Sequence, residues 1–143
     1  MGTSWQQELV DLFNSAPITT TFGMSLSFDE NQHAHVILPY NPSLDHPKKG
    51  IHGGVLATLL DTVGWYAVAV RHEGVWIATS EFKIHLLQAV RECEVHAEGW
   101  IVKDGKRLSI AEMKALDHNG AMIALGTGTF VVLDSIPFRK ESL

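Results

Sequence analysis

Asp61 stands alone in an apolar run. From Val55 to Val70 nearly every residue is apolar, so the helix this run predicts is buried all round rather than along one stripe. The residues three and four positions from Asp61 are Ala57, Thr58, Gly64 and Trp65, so no Lys or Arg on the same helix neutralises the carboxylate. A carboxyl group at the edge of an apolar cleft has a raised pKa and is able to take a proton from water. The competing reading is a structural carboxylate satisfied by a distant Arg or by backbone amides, and residue types alone leave both open. At the head of the same run Gly53 and Gly54 open the helix with no Cβ atoms over its first amides. Those amides are unpaired donors at the positive end of the helix dipole, a ready site for an oxyanion. Close packing of the helix on its neighbours is the other use of two such glycines. Asp61 lies eight residues after Gly53, about 12 Å along the helix. One chain therefore does not bring both to a single reacting centre. A second helix running antiparallel about a two-fold axis would, which predicts a site built by a dimer.

Other side chains suggest less. His33 and His35 lie two apart on a predicted strand and so share a face, as a pair of metal ligands would. Cysteine and carboxylate at ligand spacing are not evident in the sequence, so no metal is expected. Cys93, the single cysteine, has no indicated activating partner and reads as a packed thiol. No Gly-x-Ser-x-Gly elbow, phosphate loop or dinucleotide fingerprint occurs, which argues against a serine-triad or nucleotide-dependent hydrolase.

The elements that must position these residues can be read in order. Ser4 to Asn14 is a short helix capped by Ser4, with Trp5, Leu9, Leu12 and Phe13 on one face, and Pro17 closes it. Phe22 to Phe28 and Gln32 to Leu38 are strands joined by Asp29-Glu30-Asn31. Asn41 to Ile51 is a loop feeding the central helix, which ends before Gly74. Four strands follow, Val75–Leu87, Cys93–Val102, Leu108–Asp117 and Ala121–Leu133, with hairpin turns at Asp104-Gly105 and Asn119-Gly120. The expected class is α+β: an antiparallel sheet around one long central helix, with a short N-terminal helix.

Composition bounds the rest. The 143 residues suit one domain, 1–143, with a real core, and 45% hydrophobic against 19% charged residues describes a globular chain. A net charge of −5 offers no broad basic surface for nucleic acid. The apolar run is too short to span a bilayer and contains Asp61. No signal peptide is evident at Met1 to Val10, and a lone cysteine fits a reducing cytoplasm.

His52-Gly53-Gly54 followed by Asp61, together with Phe82-Lys83-Ile84-His85-Leu86-Leu87 and Gly126-Thr127-Gly128-Thr129-Phe130, resembles the hotdog-fold thioesterases of the PaaI-like, phenylacetate-degradation type. The similarity covers nearly the whole chain. It implies a hotdog fold and hydrolysis of an acyl-CoA thioester, with Asp61 as general base or nucleophile and Gly53, helped by Gly54 and His52, polarising the carbonyl. It implies a homodimer or a dimer of dimers, and no cofactor beyond the coenzyme A of the substrate. Where the family commonly has Asn, six residues before His52, this chain has His46, whose imidazole is also able to donate a hydrogen bond. Thr79 and Ser80 occupy the place where related enzymes put a hydroxyl that orients water; an ordinary strand Thr is the plainer reading. Arg91, Lys103, Lys106 and Arg107 correspond to the region that meets the nucleotide phosphates, although hairpin-tip basic residues are commonly just solvated. Trp65, with Tyr66 and Trp76, is a core residue that also lines an acyl pocket. Two rival functions are a hotdog enoyl-CoA hydratase and a non-catalytic acyl-CoA sensor. The hydratase chemistry uses an Asp-His pair on the helix, and the residue five beyond Asp61 here is Tyr66.

Overall fold

In the computed structural model of the chain, which describes residues 2–138, α1 spans Trp5–Ser15 and is capped by the Ser4 hydroxyl, which accepts from the Gln7 amide. It buries Leu9 and Phe13, and the Trp5 indole donates to the Ala69 carbonyl at 2.9 Å, tying it to the far end of the central helix. Pro17 does not end the helical region. It begins a second helix, α2 (Pro17–Phe22), because a first-turn position needs neither the amide hydrogen that proline lacks nor a φ other than its own. Gly23, at φ 78°, then reverses the chain, so the strand expected from Phe22 is confined to β1, Ser25–Phe28.

The second strand likewise starts late, at β2 (Ala34–Leu38), since Gln32 takes a left-handed φ of 62° inside the connecting turn. The loop before the central helix holds one 3₁₀ turn, Pro42–Leu44. The central helix, α3, runs Gly53–Ala69 and buries ten of its seventeen residues. β3 (Val75–Leu86), β4 (Val95–Lys103), β5 (Leu108–Leu116) and β6 (Met122–Pro137) follow, with hairpins at the two turns expected from Asp-Gly and Asn-Gly.

All six strands form one antiparallel sheet in the order β1-β2-β4-β5-β6-β3. Its inner face wraps α3. In β5, Ser109, Ala111, Met113 and Ala115 alternate inward, the period of a half-buried strand. At Gly99 in β4 the helix backbone rests on the strand, and a Cβ there would lie 2.5 Å from the Val63 carbonyl oxygen. The expected α+β hotdog architecture is the one observed. Two features position the site. β3 is an edge strand whose only partner among the described residues is β6, and that pairing breaks at a bulge between Thr79 and Glu81.

Candidate active site

Asp61 sits half-buried in the middle of α3, and among the described residues no cation pairs with it. Its Oδ1 accepts a 2.7 Å hydrogen bond from the Thr79 hydroxyl. Thr79 is the last residue of β3 before the bulge, a feature that re-aims strand side chains. Burial pushes the Asp61 carboxyl above the ordinary carboxylate range, and the Thr79 hydrogen bond offsets part of that rise. Beside it opens a cavity of about 340 Å³ whose walls include Phe13, Ile18, Met24, Trp65, Tyr66 and Trp76. Trp65 meets both Tyr66 and Trp76 edge-on and donates to the Ile77 carbonyl at 2.8 Å, so its ring is both a packed element and a wall. The tyrosine phenol is held well above its usual pKa by burial.

The other end of α3 presents a donor. His52 is the N-cap, and its Nδ1 accepts from the Gly54 amide at 2.8 Å. That contact uses up Gly54 as a free donor and leaves Gly53, whose N–H has no acceptor among the described residues. It also fixes the neutral imidazole as the Nε2–H tautomer, so His52 keeps a second donor on its exposed side chain. His46 shapes the approach to the helix. Its Nδ1 accepts from the Lys48 amide at 3.1 Å, its backbone N–H donates to the Gly50 carbonyl, and its ring lies where a Cβ on Gly50 would stand.

Some expected partners are dispersed. Ser80 is exposed at the bulge and makes no hydrogen bond to Asp61. The basic residues do not form one patch. Arg91 follows Val90, whose carbonyl accepts from the Ile51 amide beside the head of α3. Lys103, Lys106 and Arg107 lie at the opposite end, where His72, just past α3, pairs with Asp104 at 3.0 Å. The nine residues of β4 separate the two groups by roughly 30 Å. All four side chains are exposed.

Two contributors escape a reading of the sequence. The α1–α2 segment walls the cavity through Phe13 and Ile18, and the signal for it was Pro17, whose role as a helix start was available in principle. Asp45, next to His46, buries an Oδ1 with no partner among the described residues; nothing in its sequence context marks it.

A central helix wrapped by one antiparallel sheet is the architecture of the hotdog class. The chain belongs to the thioesterase superfamily, whose family profile matches residues 49–124. A protein of Saccharolobus solfataricus that carries a provisional esterase name is 28% identical over 87% of this chain and 83% of its own length. Among solved structures, a thioesterase family protein of Silicibacter pomeroyi superposes with a TM-score of 0.84 at 25% identity, covering 92% of this chain and 99% of that one. The E. coli PaaI protein of the phenylacetic acid degradation operon shares the fold, with a TM-score of 0.81 at 18% identity over 91% of this chain and 96% of that one. No described helix is long and apolar enough to cross a membrane.

Proposed function

We propose that the protein hydrolyses acyl-CoA thioesters to the free acid and coenzyme A, and that the observation carrying this is the half-buried Asp61 with its raised pKa, one hydroxyl donor and an apolar cavity alongside. The acyl group occupies the cavity walled by Phe13, Trp65 and Trp76. Asp61 takes a proton from water as the water oxygen attacks the carbonyl carbon. The C–S bond then breaks and the thiolate leaves, recovering that proton. The Gly53 N–H, assisted by the Nε2–H of His52, stabilises the oxyanion. The same carboxylate is also suited to attack the carbonyl itself, and either role requires it ionised. The chemistry calls for no metal or redox cofactor, and coenzyme A enters only as part of the substrate.

The working unit is a homodimer, itself paired into a tetramer. Two features support this: the distance along α3 between Gly53 and Asp61, and the long edge strand β3, which carries Phe82 and Leu86 exposed at 40% and 52% next to unpaired backbone groups. Antiparallel pairing of two α3 helices sets Asp61 of one copy beside Gly53 of the other. It also brings the Lys103–Arg107 hairpin of one copy toward the other's helix head, within reach of the nucleotide phosphates. We assign the activity to the cytoplasm, where the free thiol of Cys93 is stable.

The test is thiol release over a panel of aryl-, short- and medium-chain acyl-CoAs, with Asp61→Asn alongside. Turnover of at least one substrate by the parent and not by the variant is expected. Binding of acyl-CoA without thiol release by the parent would make the protein a sensor, and hydration of an enoyl-CoA would make it a hydratase.

A further inference from the structure

The outer face of the sheet, opposite α3, carries a second group of ionisable side chains that the reaction does not use. Asp29 and His33 flank the β1–β2 turn. His35 in β2 is paired directly with Glu98 in β4. Their neighbours Ala34, Val36 and Ala97 are buried against the helix, so the alternation of strand side chains turns His35 and Glu98 outward. Asp29, His33 and Glu98 each bring one donor atom within 4.8 Å of the other two.

We propose that Asp29, His33 and Glu98, with His35 alongside, form a binding site for a divalent transition-metal ion of the zinc type. His33 Nδ1 lies 3.1 Å from Glu98 Oε1 and 3.9 Å from Asp29 Oδ2. His35 Nε2 lies 2.8 Å from the same Asp29 oxygen and 4.0 Å from the same Glu98 oxygen. The donor atoms of Asp29, His33 and Glu98 all lie within 4.8 Å of one another, and the two His33 separations bracket the edge of about 3.4 Å expected between donors on a tetrahedron with bonds of about 2.1 Å. Imidazole nitrogen combined with carboxylate oxygens matches zinc-like ions, whereas calcium and magnesium select all-oxygen shells.

The surrounding contacts orient these donors. The backbone amides of Asn31 and His33 donate to Asp29 Oδ1 at 2.9 and 3.0 Å, which turns Oδ2 toward the histidines, where His35 Nε2 holds it in a 2.8 Å hydrogen bond. His35 Nδ1 is 2.9 Å from His96 Nε2, the kind of outer hydrogen bond that fixes a ligating histidine. The His33 ring stacks on Trp100. Lys114 Nζ approaches Glu98 at 3.4 Å, but on Oε2, not on the oxygen facing the histidines. On binding, His33 and His35 give up any proton on the ligating nitrogen to solvent. The four side chains remain between 19% and 33% exposed, so the ion has a way in.

The test uses the untagged, chelator-stripped full chain and zinc chloride, with uptake followed by equilibrium dialysis against a chromophoric chelator and by thermal melting. One saturable equivalent per chain and a raised melting temperature are expected. The double variant His33→Ala/His35→Ala should bind at least ~10-fold more weakly. Glu98→Gln, nearly isosteric, should weaken uptake while melting cooperatively without metal, which separates a lost site from a lost fold. Absence of saturable uptake by the parent overturns the proposal. So does uptake undiminished in both variants, which would assign the ion to other histidines, and so does displacement by equimolar calcium or magnesium.

Discussion

Asp61 and Asp29 begin as the same side chain and are driven in opposite directions by their surroundings. Around Asp61, burial against α3 and the apolar cavity dominates, a single hydroxyl answers it, and the carboxyl holds its proton more tightly than usual. Around Asp29, the hydrogen bond to His35 is the leading influence, two backbone amides and His33 add to it, and the carboxyl gives its proton up more readily. Glu98 loses more to burial than Asp29 does, but His33 and Lys114 outweigh that loss and its pKa also falls. A carboxylate short of partners is a base in waiting, while one surrounded by donors is a structural or ligating anion. The inner face of the sheet holds the first kind and the outer face the second.

The largest expected contrast is in turnover. Asp61→Asn should lower kcat by about 10²–10⁴ with the fold intact, because the amide cannot accept a proton. Asp29→Asn should leave thioester hydrolysis within about twofold of the parent. Steady-state thiol release from purified proteins of matched circular dichroism measures both, and comparable losses would erase the functional distinction between the two faces.

Mixing tests whether the inner site spans two chains. Asp61→Asn and Gly53→Val, each inactive alone, should on co-refolding give heterodimers in which one site carries both lesions and the other neither, returning about a quarter of parental activity in a 1:1 mixture. Verified heterodimers without activity would require another base near Gly53 in the same chain.

A smaller effect should follow from Thr79→Val. Removing the one hydrogen bond that lowers the Asp61 pKa raises it further, so the acid limb of the kcat/KM profile should move to higher pH. On that limb the loss should be roughly two- to tenfold. An unmoved limb would mean that Thr79 does not address the ionised carboxylate.

The smallest effect concerns stability. Asp29 and Glu98 have lowered folded pKa values, so they add stability above their unfolded values, and it is lost as pH falls through the folded ones. Asp61 has the opposite sign: its raised folded pKa adds stability when protonated, and this is lost as pH rises through the folded value. Melting curves from pH 3 to 8 should therefore show Asp29→Asn narrowing its deficit toward acid, and Asp61→Asn matching or exceeding the parent near neutrality. Parallel curves for the two variants would contradict the opposed settings.

The elements that were legible share one cause: their signals are local. Ser4 before an amphipathic turn, the unbroken apolar run after Gly53, and the Asp-Gly and Asn-Gly turns each act through neighbours in sequence, and each lies where the structure has the corresponding cap, helix or hairpin. The family likeness was legible for a related reason, since His52-Gly53-Gly54 and Asp61 sit on one continuous helix. Pro17 was ambiguous because the same fixed φ ends one helix and starts another.

By itself, then, the sequence determined the central helix, its solitary carboxylate and the bare glycine at its head, because helix periodicity sets those spacings without reference to anything else. Tertiary structure alone decided which groups meet across the sheet. Thr79 comes to Asp61 because a bulge in β3 lies over the middle of α3. Arg91 and Lys106 part because a nine-residue strand lies between them. Glu98 reaches His33 and His35 from more than sixty residues away because β2 and β4 share a register, and strand register is a property of the pairing rather than of either strand.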